Sequence, residues 1–106
     1  MQEQSRRIPV TWDAQTNKPT APDIEVNIRN GRARITWFIA DDDVDSFEIR
    51  ELGQRDEFED LTTHSDKTWS VLDKATKVVT AHYKIEGTRK DGKKAGQDPK
   101  ISNVEK

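Results

Sequence analysis

The chain has no cysteine among its 106 residues. Disulfides, thiolate nucleophiles and Cys-ligated zinc are thereby excluded. Histidine is nearly absent too, with only His64 and His82. No His-x-His or His-Glu-x-x-His spacing exists, so a catalytic zinc site is not expected. Glycine is sparse at 5 residues, and no glycine-rich loop could cradle a phosphate. Hydrophobic residues make up only 31% of the chain. No apolar run approaches the ~20 residues that cross a bilayer, so membrane insertion is not expected. The opening MQEQSRRIPV lacks the apolar stretch of a secretory signal and leaves the compartment open.

What the chain has instead is charge. Charged residues make up 36%, and the net charge of −2 hides a segregation. Residues 1–40 sum to +2, residues 41–73 to −9 and residues 74–106 to +5. Strands of opposite sign can lie side by side and satisfy each other. Alternatively, a polarised surface can steer a charged partner.

The hydrophobic pattern has a period of two. Val79, Ala81, Tyr83 and Ile85 fall on one face of a strand, and Thr80, His82, Lys84 and Glu86 on the other. Ile24, Val26 and Ile28 alternate in the same way, as do Ala33, Ile35, Trp37 and Ile39. Asn30-Gly31 between those two runs is a strong hairpin signal, since both residues tolerate positive φ. Phe47 with Ile49, Trp69 with Val71, and Ile101 with Val104 mark further strands, and Phe58 and Leu61 mark a short edge strand. Phe38 falls on an outer face that something else must cover. Residues 1–21 read as an extended arm ahead of residues 22–106. Within the arm Ile8, Val10 and Trp12 alternate and could form an edge strand despite Pro9. The expected fold is all-β: a seven-stranded antiparallel β-sandwich with an N-terminal extension.

The residues Ile35-Thr36-Trp37, Phe47-Glu48-Ile49, the run from Tyr83 to Gly87 and Asp91-Gly92 follow in an order that resembles a fibronectin type III domain. The resemblance covers residues 22–104. It implies a Greek-key, immunoglobulin-like sandwich. It also implies a non-catalytic interaction or spacer role, as in adhesion, carbohydrate-enzyme accessory modules, or bacterial and phage assemblies. One departure concerns the segment ahead of Tyr83: Val78 and Val79 stand where the family usually has leucine, and its proline is missing. In such a sandwich the 41–45, 64–67 and 89–94 loops would share one pole.

Candidate binding residues lie in those loops. Asp41, Asp43 and Asp45 alternate like the start of a calcium loop. Ser46 and Leu52 occupy the positions where an EF-hand needs glycine and a bidentate glutamate, so that motif fails. A different calcium site would draw His64 and Asp66 into the same cluster. Ser65, His64 and Asp66 are contiguous and cannot face one another as a catalytic triad. Arg89, Lys90 and Lys93 form a basic loop with no stacking aromatic beside it, so nucleic acid is not expected as a partner. Trp37 and Trp69 fall on core registers, which argues against a carbohydrate platform. The expected partner is another protein, with no cofactor and no catalysis. The rival reading is a calcium- or carbohydrate-binding domain that uses the same loops.

Overall fold

The alternating run around Tyr83 folds as two successive strands in a computed structural model that describes residues 3–65 and 67–106. In chain order the strands are β1 (Gln4–Asp13), β2 (Lys18–Thr20), β3 (Ile24–Asn27), β4 (Ala33–Ile39), β5 (Val44–Arg50) and β6 (Phe58–Ser65). They continue as β7 (Thr68–Asp73), β8 (Thr80–His82), β9 (Lys84–Arg89), β10 (Lys94–Gln97) and β11 (Lys100–Val104). One five-stranded sheet has the order β2-β1-β4-β7-β6, and two three-stranded sheets have the orders β10-β9-β5 and β3-β11-β8. The protein is all-β. Among the described residues no helix is long and apolar enough to cross a membrane.

The count is eleven strands rather than seven. Two long strands are interrupted, one at Tyr83 and one at Asp98-Pro99, and the N-terminal arm supplies two more. Nor is the pairing wholly antiparallel. β1 runs parallel to β4 from Gln4 opposite Ala33 to Val10 opposite Ile39, and β3 runs parallel to β11.

The expected hairpin at Asn30-Gly31 does not form. Asn27 accepts a hydrogen bond from the Arg29 amide (3.1 Å) and winds Ile28–Asn30 into a single 3-10 turn. Gly31 then takes φ 89° and redirects the chain. β3 and β4 consequently enter different sheets.

The arm folds because its alternation is real. Ile8, Val10 and Trp12 point into the core. β2 pairs with β1 only from Thr11 to Asp13, so no strand lies beside Pro9 on that side and its missing N–H costs no ladder bond. Pro9 faces outward opposite Phe38, and the Arg7 guanidinium stacks 4.3 Å from the Phe38 ring. Phe38 is therefore covered by Arg7. Trp12, on the inner side of the same strand, is not its partner.

The core lies between the layers. Trp37 Nε1 donates to the Tyr83 hydroxyl at 2.9 Å, and the rings meet edge to face with centroids 5.3 Å apart. The Tyr83 hydroxyl is thus taken by a tryptophan of the opposite layer. Burial pushes its pKa well up. Trp69 Nε1 makes a second cross-layer bond, to the Phe47 carbonyl at 3.0 Å. β2 crosses β9 at Gly87, where a Cβ would stand 2.8 Å from Pro19 Cβ, so only glycine fits.

Register defines two poles. β4 and β1 both start beside Arg32 and both end beside Asp41. The acidic 41–45 run follows β4, but Val44 and Asp45 already belong to β5, and of the 89–94 run Arg89 and Lys94 belong to β9 and β10. Strand pairing extends further towards the tips than the charge pattern suggests. β9 ends where the Lys90 amide donates to the Asp43 carbonyl at 3.0 Å.

Candidate functional site

The pole after β4 carries most of the residues that the sequence singles out, held mainly by backbone bonds. Asp41 Oδ1 accepts the Asp43 amide (2.9 Å) and Oδ2 accepts the Trp12 amide (3.0 Å). These two amides, with the Arg89 charge nearby, hold its carboxyl below the usual range against the opposing effect of burial. Asp41 therefore ties the end of β1 to the start of the loop, and both of its oxygens are engaged by the backbone.

The basic loop is equally well built. The Arg89 amide donates to the Lys93 carbonyl (2.7 Å), the Gly92 amide to the Arg89 carbonyl (2.8 Å), and the Lys93 amide to Asp91 Oδ1 (3.0 Å). Gly92 at φ 90° makes the turn. Arg89 leans over the Trp12 ring, 5.9 Å from its centroid, and reaches Asn17 Oδ1 at 3.5 Å. Asn17 also accepts the Trp12 indole N–H at 3.0 Å. Trp12 and Asn17 thus support the basic loop from below. The loop therefore does have an aromatic beside it, contrary to the sequence reading, because the folded N-terminal strand brings Trp12 under Arg89; that ring is buried.

Asp42, Asp43, Asp45, Lys90, Lys93 and Lys94 are exposed. Among the described residues none of them belongs to an ion pair. Opposite charges therefore stand at the same pole, with Arg89 acting on Asp41 and the outer six making no direct pair among the described residues.

His64 lies apart from this pair of loops. It sits on edge strand β6, with Nε2 2.7 Å from Ser70 Oγ on β7. The β6–β7 turn is at the same end of the molecule, since Thr68 pairs with Phe38. An open groove of about 350 Å³ runs past Phe47, Glu48, Thr63, His64, Ser65 and Trp69. Asp66 lies outside the described residues. Among the described residues no group of three or more acidic or histidine side chains could hold a metal ion.

A second polar cluster, absent from the sequence reading, lies inside the opposite pole. Glu57 and Asp73 are 0% exposed and Asn103 is 1% exposed. Asn103 Nδ2 donates to Asp73 Oδ1 (2.8 Å) and to Glu57 Oε2 (3.1 Å). Glu57 also accepts the Thr76 amide (2.9 Å), the Lys77 amide (2.9 Å) and the Thr76 hydroxyl. Burial works to raise the Glu57 pKa, but these donors outweigh it and hold the carboxyl below the usual range. For Asp73 the balance goes the other way. Burial pushes it up, the Glu57 charge adds to the rise, and bonds from Asn103 and the Ala75 amide only partly oppose it.

One sequence signal could have exposed this cluster. Asp73 continues the inward register of Trp69 and Val71, and Asn103 continues that of Ile101, so each is a polar residue where the alternation calls for an apolar one.

No protein-family model matches the chain, and no curated protein sequence matches it. Among solved structures the chain is similar to the cysteine protease inhibitor EhICP2 from Entamoeba histolytica, at 15% identity. The match covers 100% of this chain and 99% of that one, with a TM-score of 0.43. That score is too low to establish a shared fold.

Proposed function

We propose that the chain is a non-catalytic protein-binding module with a fibronectin type III-like sandwich, and that its 41–45 and 89–94 loops form the binding surface. The observation that carries this reading is the pair of rigid loops of opposite sign, adjacent through Lys90 and Asp43, whose outermost charges have no ion-pair partner among the described residues. A backbone already fixed by hydrogen bonds adds little ordering cost when a complementary surface docks, and the unpaired charges steer its approach. Asp41 holds the geometry; Asp43, Asp45, Lys90 and Lys93 make the contacts.

The test is capture of a partner from the source lysate at low and high salt, with wild type, Asp43→Lys with Asp45→Lys, and Lys90→Glu with Lys93→Glu. The expected result is a protein retained by wild type at low salt and lost at high salt and with either reversal. Retention by both reversals would sink the assignment of these loops. Capture abolished by EDTA would instead favour the calcium reading, against which the engaged oxygens of Asp41 already count.

A further inference from the structure

The two buried side-chain atoms that lack a hydrogen-bond partner, among the described residues, are Asp73 Oδ2 and Asn103 Oδ1. They belong to side chains already joined by the 2.8 Å bond from Asn103 Nδ2 to Asp73 Oδ1. The orientation of the Asn103 amide is fixed by Glu57, whose ionised Oε2 can only accept from its nitrogen. An ionised Asp73 therefore leaves two acceptors buried without a donor, a costly arrangement for polar atoms removed from water. One proton on Asp73 Oδ2 would turn an unpaired acceptor into a donor beside an amide whose oxygen lacks one. A carboxylic acid and a primary amide joined through N–H···O can close a second bond, O–H···O, in an eight-membered ring.

We propose that Asp73 takes up a proton more readily in the folded protein than in the unfolded chain and donates it to Asn103 Oδ1, so that this cluster is a pH-sensitive fastening between the last strand and the 74–79 loop.

The neighbours support one proton on the pair of acids. Glu57 has four donors and needs none, whereas Asp73 Oδ1 has two and Oδ2 has none. Burial and the Glu57 charge act on Asp73 in the same direction. The groups facing it from the packed elements offer no compensating cation. Ala33 on β4 and Phe58 on β6 lie opposite it, Val26 on β3 lies opposite Asn103, and Asn103 itself is neutral. Of the nearby bases, Arg34 is bonded to Glu3 and the Lys77 ammonium to Asp56, while Lys74 is half-exposed and gives its amide to the Glu57 carbonyl. The two acids then set opposite limits. Because the Asp73 pKa is raised on folding, its contribution is full below 3.8 and is lost as pH rises through the folded value. Because the Glu57 pKa is lowered, its contribution is present above 4.5 and is lost as pH falls through the folded value.

The test combines a carboxyl-carbon NMR titration of the wild-type chain with urea unfolding of wild type and Asp73→Asn. An amide at position 73 keeps the carbonyl that accepts from Asn103 and Ala75 and puts one N–H in place of the proton, while its second N–H adds a cost that does not vary with pH. The Asp73 carboxyl carbon is expected to titrate above 3.8, the ordinary aspartate value. Relative to wild type, the Asp73→Asn urea midpoint is expected to be more favourable at about pH 8 than at about pH 4. A carboxyl that titrates at or below the ordinary value would overturn the proposal, as would a difference between variant and wild type that does not change between those two pH values. If that variant fails to fold, the wild-type titration still decides.

Discussion

At the residue scale the core is organised by tryptophans whose indole N–H groups all find acceptors. Trp37 bonds Tyr83, Trp69 bonds the Phe47 carbonyl and Trp12 bonds Asn17. Tyr83→Phe keeps the packed ring and leaves the Trp37 N–H buried without a partner, so it is expected to cost about 1–3 kcal/mol in urea unfolding. Single residues were unevenly legible in the sequence. Alternation identifies Ile35, Trp37, Phe47, Tyr83 and Ile85 as interior, and all five are buried. Glu57 gave no such signal, because its donors are Thr76, Lys77 and Asn103, 19, 20 and 46 residues away. Local pattern carries no information about bonds of that span. Asp73 and Asn103 were legible only as exceptions to the period of two.

At the element scale the N-terminal strand is the main departure from a simple sandwich. β1 gives Ile8 and Val10 to the core and covers the edge of β4. Ile8→Ala removes a fully buried side chain and is expected to cost ~2–5 kcal/mol, read from urea midpoints. β2 depends on close approach to β9. Gly87→Ala would force a Cβ against Pro19, and a loss of about 1–3 kcal/mol is expected from the same measurement. The alternation that predicts a strand at Ile8, Val10 and Trp12 cannot predict its neighbour or its direction. Parallel pairing with β4 depends on the turn through Ile28–Asn30, which the dipeptide Asn30-Gly31 read alone suggests is a hairpin. Edge strand β6 was harder still. Its register shifts twice and Asp60 takes φ 58°, a bulged geometry that alternation cannot register and that discourages edge-to-edge pairing.

At the scale of the whole molecule the segregated charge of the sequence becomes a bipolar end. The adjacency of the 41–45 and 89–94 loops was implied by the fibronectin-like reading, and the bond from Lys90 to Asp43 joins them. The separation of His64 was not foreseen, because a turn at the same pole can still lie on a different edge. Exposed charges without ion-pair partners contribute little to stability. Asp42→Lys and Lys90→Glu are each expected to change the unfolding free energy by no more than about 0.5 kcal/mol. A stability loss well beyond that would mean that these loops serve the fold rather than a partner.

The two ends of the described chain meet at the opposite pole. Gln4 Nε2 bonds the Asn27 carbonyl at 3.3 Å, and Val104 pairs with Asn27. Seven residues of β4, about 20 Å, separate that pole from the charged loops. Any tether attached through either end therefore leaves from one side. Such a molecule would add little length to a string of modules and would hang from it as a pendant, with its bipolar tip directed away from the line of attachment. Traction on both ends would peel β1 and β11 open from the tether side, one bond at a time, and the loop tip would be the last part to feel the load.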